Sequence, residues 1–280
     1  MQEEPAMKIQ TILRGIRQAD NRFGLIRPGD KIAVAVSGGK DSMLLLTALR
    51  QYQKFPHTDF ELVGIHVDVG FEEFDHDLMT GYCRDHDLPL YIEKTRIFPI
   101  LELDKNRGTQ GQIQCSLCSK LKKGVLFETA KKLGCNKVAF GHHADDAIET
   151  FFLNMIHGSK AATFQPLQYM SRMDMDLIRP LVLLRESEIV QACQDNGIPS
   201  VRRVCPNDGF TQRQSIKDDL EEVYRRYPMA RDNFLTVLSN CDEKGFWHDA
   251  DSENVRTGTV HRKDQPEKEE TPDSHTGPIQ

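Results

Sequence analysis

Hydrophobic positions along the chain alternate between two patterns. Ile32–Val36 is an unbroken run of β-branched and small apolar residues, the pattern of a strand buried on both faces. Glu61–Val67, Leu90–Lys94 and Lys137–Phe140 repeat it, each followed by polar or turn residues. Between them, apolar residues recur at helical spacing over Ser42–Gln53, Phe74–His86 and Lys120–Leu133. Strands alternating with helices predict an α/β fold with a doubly wound, mainly parallel sheet.

On the flanks, Ile9, Ile12, Leu13, Ile16 and Phe23 predict an amphipathic helix over Met7–Phe23, stopped by Pro28-Gly29-Asp30. Ala144–His157 predicts a helix, Ile178–Leu184 a short strand, and Glu186–Asn196 a helix closed by Gly197. Thr211–Tyr227 and Ala230–Leu238 make a helical C-terminal portion. Past about Asp249 apolar residues thin out, as in disordered chains. The expected organisation is an N-terminal helix over 1–27, a sheet domain over 28–200, a helical portion over 201–248 and a disordered tail over 249–280. Ligands of such sheets bind at the carboxyl ends of the strands, where Ser37, His66, Asp68 and Gly141 would gather.

Ser37-Gly38-Gly39-Lys40-Asp41-Ser42 sits between the first strand and a helix. A glycine turn opening a helix offers free amides and a positive dipole end to an anion. Lys40 adds a charge, and Ser37 and Ser42 add hydroxyls. The plain alternative is an ordinary strand-to-helix connection. No GxxxxGK[ST] pattern is present, so the loop is not of the Walker type. It resembles the pyrophosphate loop (PP-loop) of the N-type ATP pyrophosphatases, which implies cleavage of ATP between the α and β phosphates and adenylation of an oxygen. Asp41 suits either the positive end of the helix or a Mg²⁺ ion on the pyrophosphate.

Cys115-Ser-Leu-Cys118 heads the Lys120–Leu133 helix, and Cys205 follows much later. The residues alone leave three readings: a redox dithiol, half of a zinc site, or thiolate ligands of an iron–sulfur cluster. There is no second CxxC for zinc. The stretch from Cys115 to Lys123, with Leu133-Gly-Cys-Asn-Lys-Val-Ala-Phe-Gly-His-His-Ala-Asp-Asp-Ala-Ile-Glu-Thr150, resembles the tRNA 2-thiocytidine synthetase family. The likeness runs from the first helix to about Tyr227.

It implies an adenine nucleotide alpha hydrolase-like fold and a tRNA sulfurtransferase with a [4Fe–4S] cluster on Cys115, Cys118 and Cys205. ATP and Mg²⁺ would activate a cytidine of the tRNA anticodon loop. Sulfur would come from a cysteine desulfurase or free sulfide, and the family favours a homodimer. One departure stands out: many members carry two late cysteines, whereas here Pro206-Asn207-Asp208 follows a single Cys205. Alternatives are 2-thiolation of a tRNA uridine, a cluster-free adenylating ligase such as tRNA-isoleucine lysidine synthetase, or a nucleotide sensor without turnover.

Gly141-His142-His143-Ala144-Asp145-Asp146 opens another helix. In the resembling family the Gly-His and Asp-Asp elements line the ATP site. That assigns Gly141 and His142 to the nucleotide, and Asp145 or Asp146 to Mg²⁺ or the base; an acidic helix cap is the alternative. Asp68 faces ribose or adenine, or caps the next turn, and His66 packs. Lys122 lies one turn after Cys118 and matches a family position that activates the base carbonyl, or else is a solvated lysine. Cys83, Cys135 and Cys193 fit apolar patterns as core residues, and Cys241 reads as a spare thiol.

The bulk numbers change little. Seven cysteines in 280 residues, behind an acidic Met1-Gln2-Glu3-Glu4 and no signal-type stretch, point to reduced thiols or metal ligation in the cytoplasm. No apolar run is long enough to cross a bilayer, so no membrane association is expected. Net charge is −6, but residues 249–280 hold eight acids against four Lys or Arg, leaving the remainder near neutral. Arg202, Arg203, Arg213, Lys217, Arg225, Arg226 and Arg231 are the basic residues expected to meet tRNA, or to solvate helix faces.

Overall fold

The computed structural model describes residues 9–56, 58–71, 73–103, 114–201 and 212–240. Residues Met1–Ser239 form one compact unit, and the predicted 249–280 tail lies outside the described residues, as do Cys205, Arg202, Arg203 and Cys241.

Six strands make one sheet in the order β3-β2-β1-β4-β6-β5. They are β1 (Asp30–Ala35), β2 (Phe60–Asp68), β3 (Leu90–Lys94), β4 (Lys137–Ala139), β5 (Leu167–Met170) and β6 (Met175–Ile178). All neighbours pair in parallel except β5 with β6. The chain builds outward from β1 through β2 to β3, then returns to lay β4 on the other side of β1. The crevice between β1 and β4 is therefore where strand order reverses, the usual ligand site of such sheets.

Helices α1 (Ile9–Phe23), α2 (Lys40–Tyr52), α3 (His76–Asp85) and α7 (Glu186–Asp195) share a core on one face, including Ile12, Ile16, Leu44, Leu45, Met79 and Ile189. Helices α4 (Ile97–Glu102) and α5 (Cys115–Lys132) cover the other face with Ile97, Leu101, Leu126 and Phe127. A smaller apolar cluster joins α6 (Ala144–Gly158), α8 (Gln212–Arg226) and α9 (Ala230–Val237) through Ile148, Phe152, Ile216, Leu220 and Phe234. At the amino end of the sheet, Lys137 is fully buried and donates to the Leu25 carbonyl at 2.8 Å while pairing with Asp30 at 3.0 Å. Breaking such a buried pair from one side leaves an uncompensated charge, so it pins β4 to β1. Cys83, Cys135 and Cys193 are core residues as expected.

Two expectations from the pattern fail. The strand predicted over Ile178–Leu184 ends at Ile178, because Pro180 cannot donate to a ladder and turns follow it. Leu181, Val182 and Leu184 are buried within turns instead, closed by Val182 N–H to the Arg179 carbonyl at 3.2 Å and Leu184 N–H to the Leu181 carbonyl at 2.9 Å. The β5–β6 hairpin, turning through Asp174 at φ 53°, replaces that strand. Helix α5 also starts five residues before Lys120, so Cys115 and Cys118 are part of its first turn and not ahead of it.

Candidate active site

The Ser37–Ser42 loop, Asp68 and Gly141 sit at the carboxyl ends of β1, β2 and β4. The loop after β1 turns at Gly38, whose φ of +82° favours glycine; an added Cβ would lie 2.9 Å from the Phe74 ring. The Ser42 hydroxyl donates to the Gly39 carbonyl at 2.8 Å and accepts from the Ser37 amide at 3.1 Å, which folds the loop onto itself. No side chain caps α2 at Gly39, so its first amides face outward as an anion site. Gly141, after β4, comes so close that a Cβ would meet the Asp41 backbone at 3.0 Å. Its glycine identity serves that approach.

Ser37, Gly39, Lys40, Asp41 and Ser42 line a cleft of about 790 Å³ with Asp68, Gly141, His142 and Asp146. Cys115, Cys118 and Lys122, from the first two turns of α5, line the same cleft. Helical spacing alone carries this: residues three, four and seven apart share a face. Loop and thiols, expected from separate motifs, thus open on one space. Cys205 lies outside the described residues, and among those described no three His, Cys, Asp or Glu side chains form a metal-holding group. Two thiols of soft donor character at one wall of the cleft are what an iron–sulfur cluster needs from α5.

Lys40 Nζ sits 3.1 Å from Asp41 and 3.0 Å from Glu186. Burial alone would depress it, but these two carboxylates outweigh that and raise it, so Lys40 stays cationic. Burial likewise opposes ionisation of Glu186, yet hydrogen bonds from Lys217 and Lys40 hold its carboxyl at about 2. Asp41 Oδ1 is buried without a hydrogen bond, although Lys40 Nζ is at 3.1 Å and His143 Nε2 at 3.9 Å. A buried acceptor without a hydrogen bond, on a residue that lines the cleft, can take a cation.

Asp146 and Asp145, adjacent in sequence, part ways. Asp146 accepts from the His143 amide at 3.0 Å as half of a capping box, pairs with Arg213 at 3.1 Å, and lines the cleft. Asp145 turns away: it accepts the Glu186 amide at 2.7 Å and faces Arg231 at 3.4 Å. The sequence places Asp145 or Asp146 at Mg²⁺ or the base; of the two, Asp146 lines the cleft, since one helical step carries Asp145 round the helix. Asp68 lines the cleft and accepts the Gly70 amide at 2.9 Å, which caps the turn after β2. His66 packs, stacked on Phe74 at 4.8 Å, with Nδ1–H donated to the Val36 carbonyl at 2.8 Å.

Burial, helped by the Arg179 and Arg213 charges, pushes His142 down to about 4, so its ring is neutral near pH 7. Arg179 donates Nε–H to His142 Nδ1 at 3.2 Å and lies over the Phe164 ring. The remaining ring proton is therefore on Nε2. Nothing in the sequence near Arg179 or Glu186 marks either as a site residue; folding brings Arg179, just after β6, to His142, and Glu186, the first residue of α7, to Lys40. Four of the basic residues expected to meet tRNA or to solvate helix faces pair with carboxylates. Arg213 is bound to Asp146 and Glu149, Lys217 to Glu186, Arg225 to Glu222, and Arg231 to Glu221 and Asp145.

The family model described as the PP-loop domain matches residues 7–220. A tRNA-cytidine(32) 2-sulfurtransferase of Geobacter sulfurreducens is 37% identical over 85% of this chain and 92% of its own. One from Neisseria meningitidis serogroup C is 35% identical over 85% of this chain and 75% of its own. Among solved structures, the U34-tRNA thiolase NcsA of Methanococcus maripaludis, solved with its [4Fe–4S] cluster, superposes with a TM-score of 0.65 at 20% identity, covering 83% of this chain and 78% of that one. No described helix is long and apolar enough to cross a membrane.

Proposed function

The chain belongs to the PP-loop family and, within it, to the tRNA-cytidine(32) 2-sulfurtransferases, and from that membership we propose that it adenylates O2 of the tRNA cytidine at position 32 and exchanges that oxygen for sulfur. The observation that carries the reading is the shared cleft: the Ser37–Ser42 loop and the Cys115–Cys118 turn open on one space.

In this reaction O2 attacks the α-phosphorus of ATP and pyrophosphate leaves. The amides at the start of α2, with the Ser37 and Ser42 hydroxyls and Lys40, hold the pyrophosphate and offset its growing charge. Asp41 and Asp146 hold Mg²⁺; the buried, unbonded Asp41 Oδ1 suits that task. His142 donates from Nε2 to an oxygen of the nucleotide, and Asp68 meets its sugar or base. Lys122 lies against the target carbonyl and polarises it. Sulfide then attacks C2 and AMP departs. Cys115, Cys118 and Cys205 would hold a [4Fe–4S] cluster, which when bound supplies an iron with an open position for sulfide. The substrate is a tRNA, and the sulfur donor a cysteine desulfurase or free sulfide.

The test is nucleoside mass spectrometry of tRNA incubated with anaerobically purified protein, ATP and sulfide. Formation of 2-thiocytidine is expected, lost in Cys115→Ala, Cys118→Ala and Cys205→Ala variants that still bind ATP. A colourless protein with stoichiometric zinc, or cysteine variants that keep full activity as a cluster-free ligase would, overturns the reading.

A further inference from the structure

We infer that the RNA strand docks on the rim formed by Lys94, Arg96, Lys120 and Lys123, and not on the basic helices α8 and α9. This rests on the tRNA reading above and adds the surface that the phosphates meet. Lys94 ends β3, Arg96 precedes α4, and Lys120 and Lys123 stand three apart on the first half of α5. All four are exposed. In a parallel sheet these places share one end, the carboxyl end of the strands, where the cleft opens. Register ties them to it: Lys94 lies opposite Asp68, a cleft residue, on the neighbouring strand. Ile97 and Phe98 of α4 share an apolar cluster with Leu117 and Leu121 of α5, so Arg96 and Lys120 ride on one layer. Lys123 itself lines the cleft, and its charge contributes to the depression of His142.

Availability decides between the two basic regions. Among the described residues, none of these four cations enters an ion pair, whereas Arg213, Lys217, Arg225 and Arg231 all do. A cation paired with a carboxylate has part of its charge offset by that partner, so it offers an RNA phosphate less than an unpaired one, which releases only counterions from the RNA. The rim thus presents charge of the right sign beside Cys115, Cys118 and Lys122, and a polyanion whose target base enters the cleft must cross it.

The experiment measures tRNA binding to the cluster-loaded protein as a function of salt, for wild type, a Lys94→Gln/Arg96→Gln/Lys120→Gln variant and an Arg225→Gln/Arg231→Gln variant. Melting checks that each is folded. Each lost phosphate contact should lower the slope of log K against log salt by about one. The rim variant is expected to lose about two to three from that slope and at least about tenfold in affinity at ~0.1 M salt. The α8–α9 variant should keep both values. A rim variant with wild-type slope, or an α8–α9 variant that loses slope, overturns the inference while leaving the sulfurtransferase reading standing. So does a rim variant that binds tRNA normally but fails only with an acidic protein sulfur donor. Wild-type protein that binds no tRNA at any salt overturns the function reading itself.

Discussion

Helix α5 and the pair α8–α9 carry the same number of Lys and Arg residues, five each, and differ in what meets them. One glutamate, Glu128, shares α5, whereas five acids share α8 and α9. The α8–α9 cations also reach outward, to Asp145, Asp146, Glu149 and Glu186 on α6 and α7. Their small apolar cluster is thereby flanked by ion pairs that end on the nucleotide loop. On α5 the lysines have no such anchor among the described residues, and Leu126, Phe127 and Ala130 beneath them hold the helix to the sheet. Charge of one sign therefore does two jobs: on α8–α9 it fixes helices to the site, and on α5 it is left for a ligand.

The carboxylate that joins the two systems gives the largest expected effect. Glu186 bridges Lys40 and Lys217, so Glu186→Ala removes a partner from both at once. Hydrogen bonds to charged groups contribute roughly 1.5–3 kcal/mol each before solvent screening. ATP affinity should fall about tenfold, with Glu186→Asp recovering part of it, as equilibrium ATP binding would show. Unchanged affinity in Glu186→Ala would mean that Lys40 is positioned without α7.

Comparable in size, and read in stability, is Arg213→Met. It strips the partner from Glu149, whose side chain is only 7% exposed, and one partner from Asp146. Because Arg213 is itself 42% exposed, the cost is on the order of 1–3 kcal/mol and not that of a fully buried pair. Calorimetry should show a melting point lower by about 2–10 °C. Lys120→Gln on α5 should stay within ~0.5 kcal/mol of wild type. Equal losses from the two substitutions would erase the contrast between the helices.

Acid sharpens the same contrast. The Glu186 carboxyl is held at about 2, below its ordinary unfolded value near 4.3. A depressed carboxylate contributes stability that is full above the unfolded pKa and is lost as pH falls through the folded one. Between about pH 4.5 and 2 wild type should lose stability more steeply than Glu186→Gln. Acid should weaken the seat of α8–α9 in this way, while Lys120, Lys122 and Lys123 have no carboxylate partner among the described residues to lose. Parallel acid limbs in urea unfolding of the two proteins would argue against the bridge.

Sequence patterning reached the sheet and its loop because both are local. Alternation of buried runs and helical spacing needs only neighbours, and so does the glycine turn at Gly38. It also brought Lys122 to the thiols, through the period of one helix. It missed the β5–β6 hairpin, whose exposed Tyr169 and intermediate Leu167 lack a clean alternation. It could not separate Asp145 from Asp146, because the partner of each comes from a different helix. Arg179, Glu186 and the pairing of Arg213 were illegible for the same reason: their roles depend on residues between 31 and 146 positions away. Charge in a helix, read alone, could not show which cations were already taken.

Arg226 offers the smallest effect and the cleanest discrimination. It belongs to α8 by position, yet its guanidinium lies over the Tyr227 ring at 5.5 Å and enters no ion pair among the described residues. If partners and not helix membership decide a cation's contribution, Arg226 should behave like the α5 lysines. Arg226→Gln should shift stability by less than ~0.5 kcal/mol. Arg231→Gln should cost more, since Arg231 meets Asp145 at 3.4 Å, Glu221 at 2.7 Å and the Tyr224 ring at 4.3 Å. Chemical denaturation of the two variants side by side reads the difference. Equal costs would mean that position on α8–α9, and not the carboxylates around it, sets what each cation does.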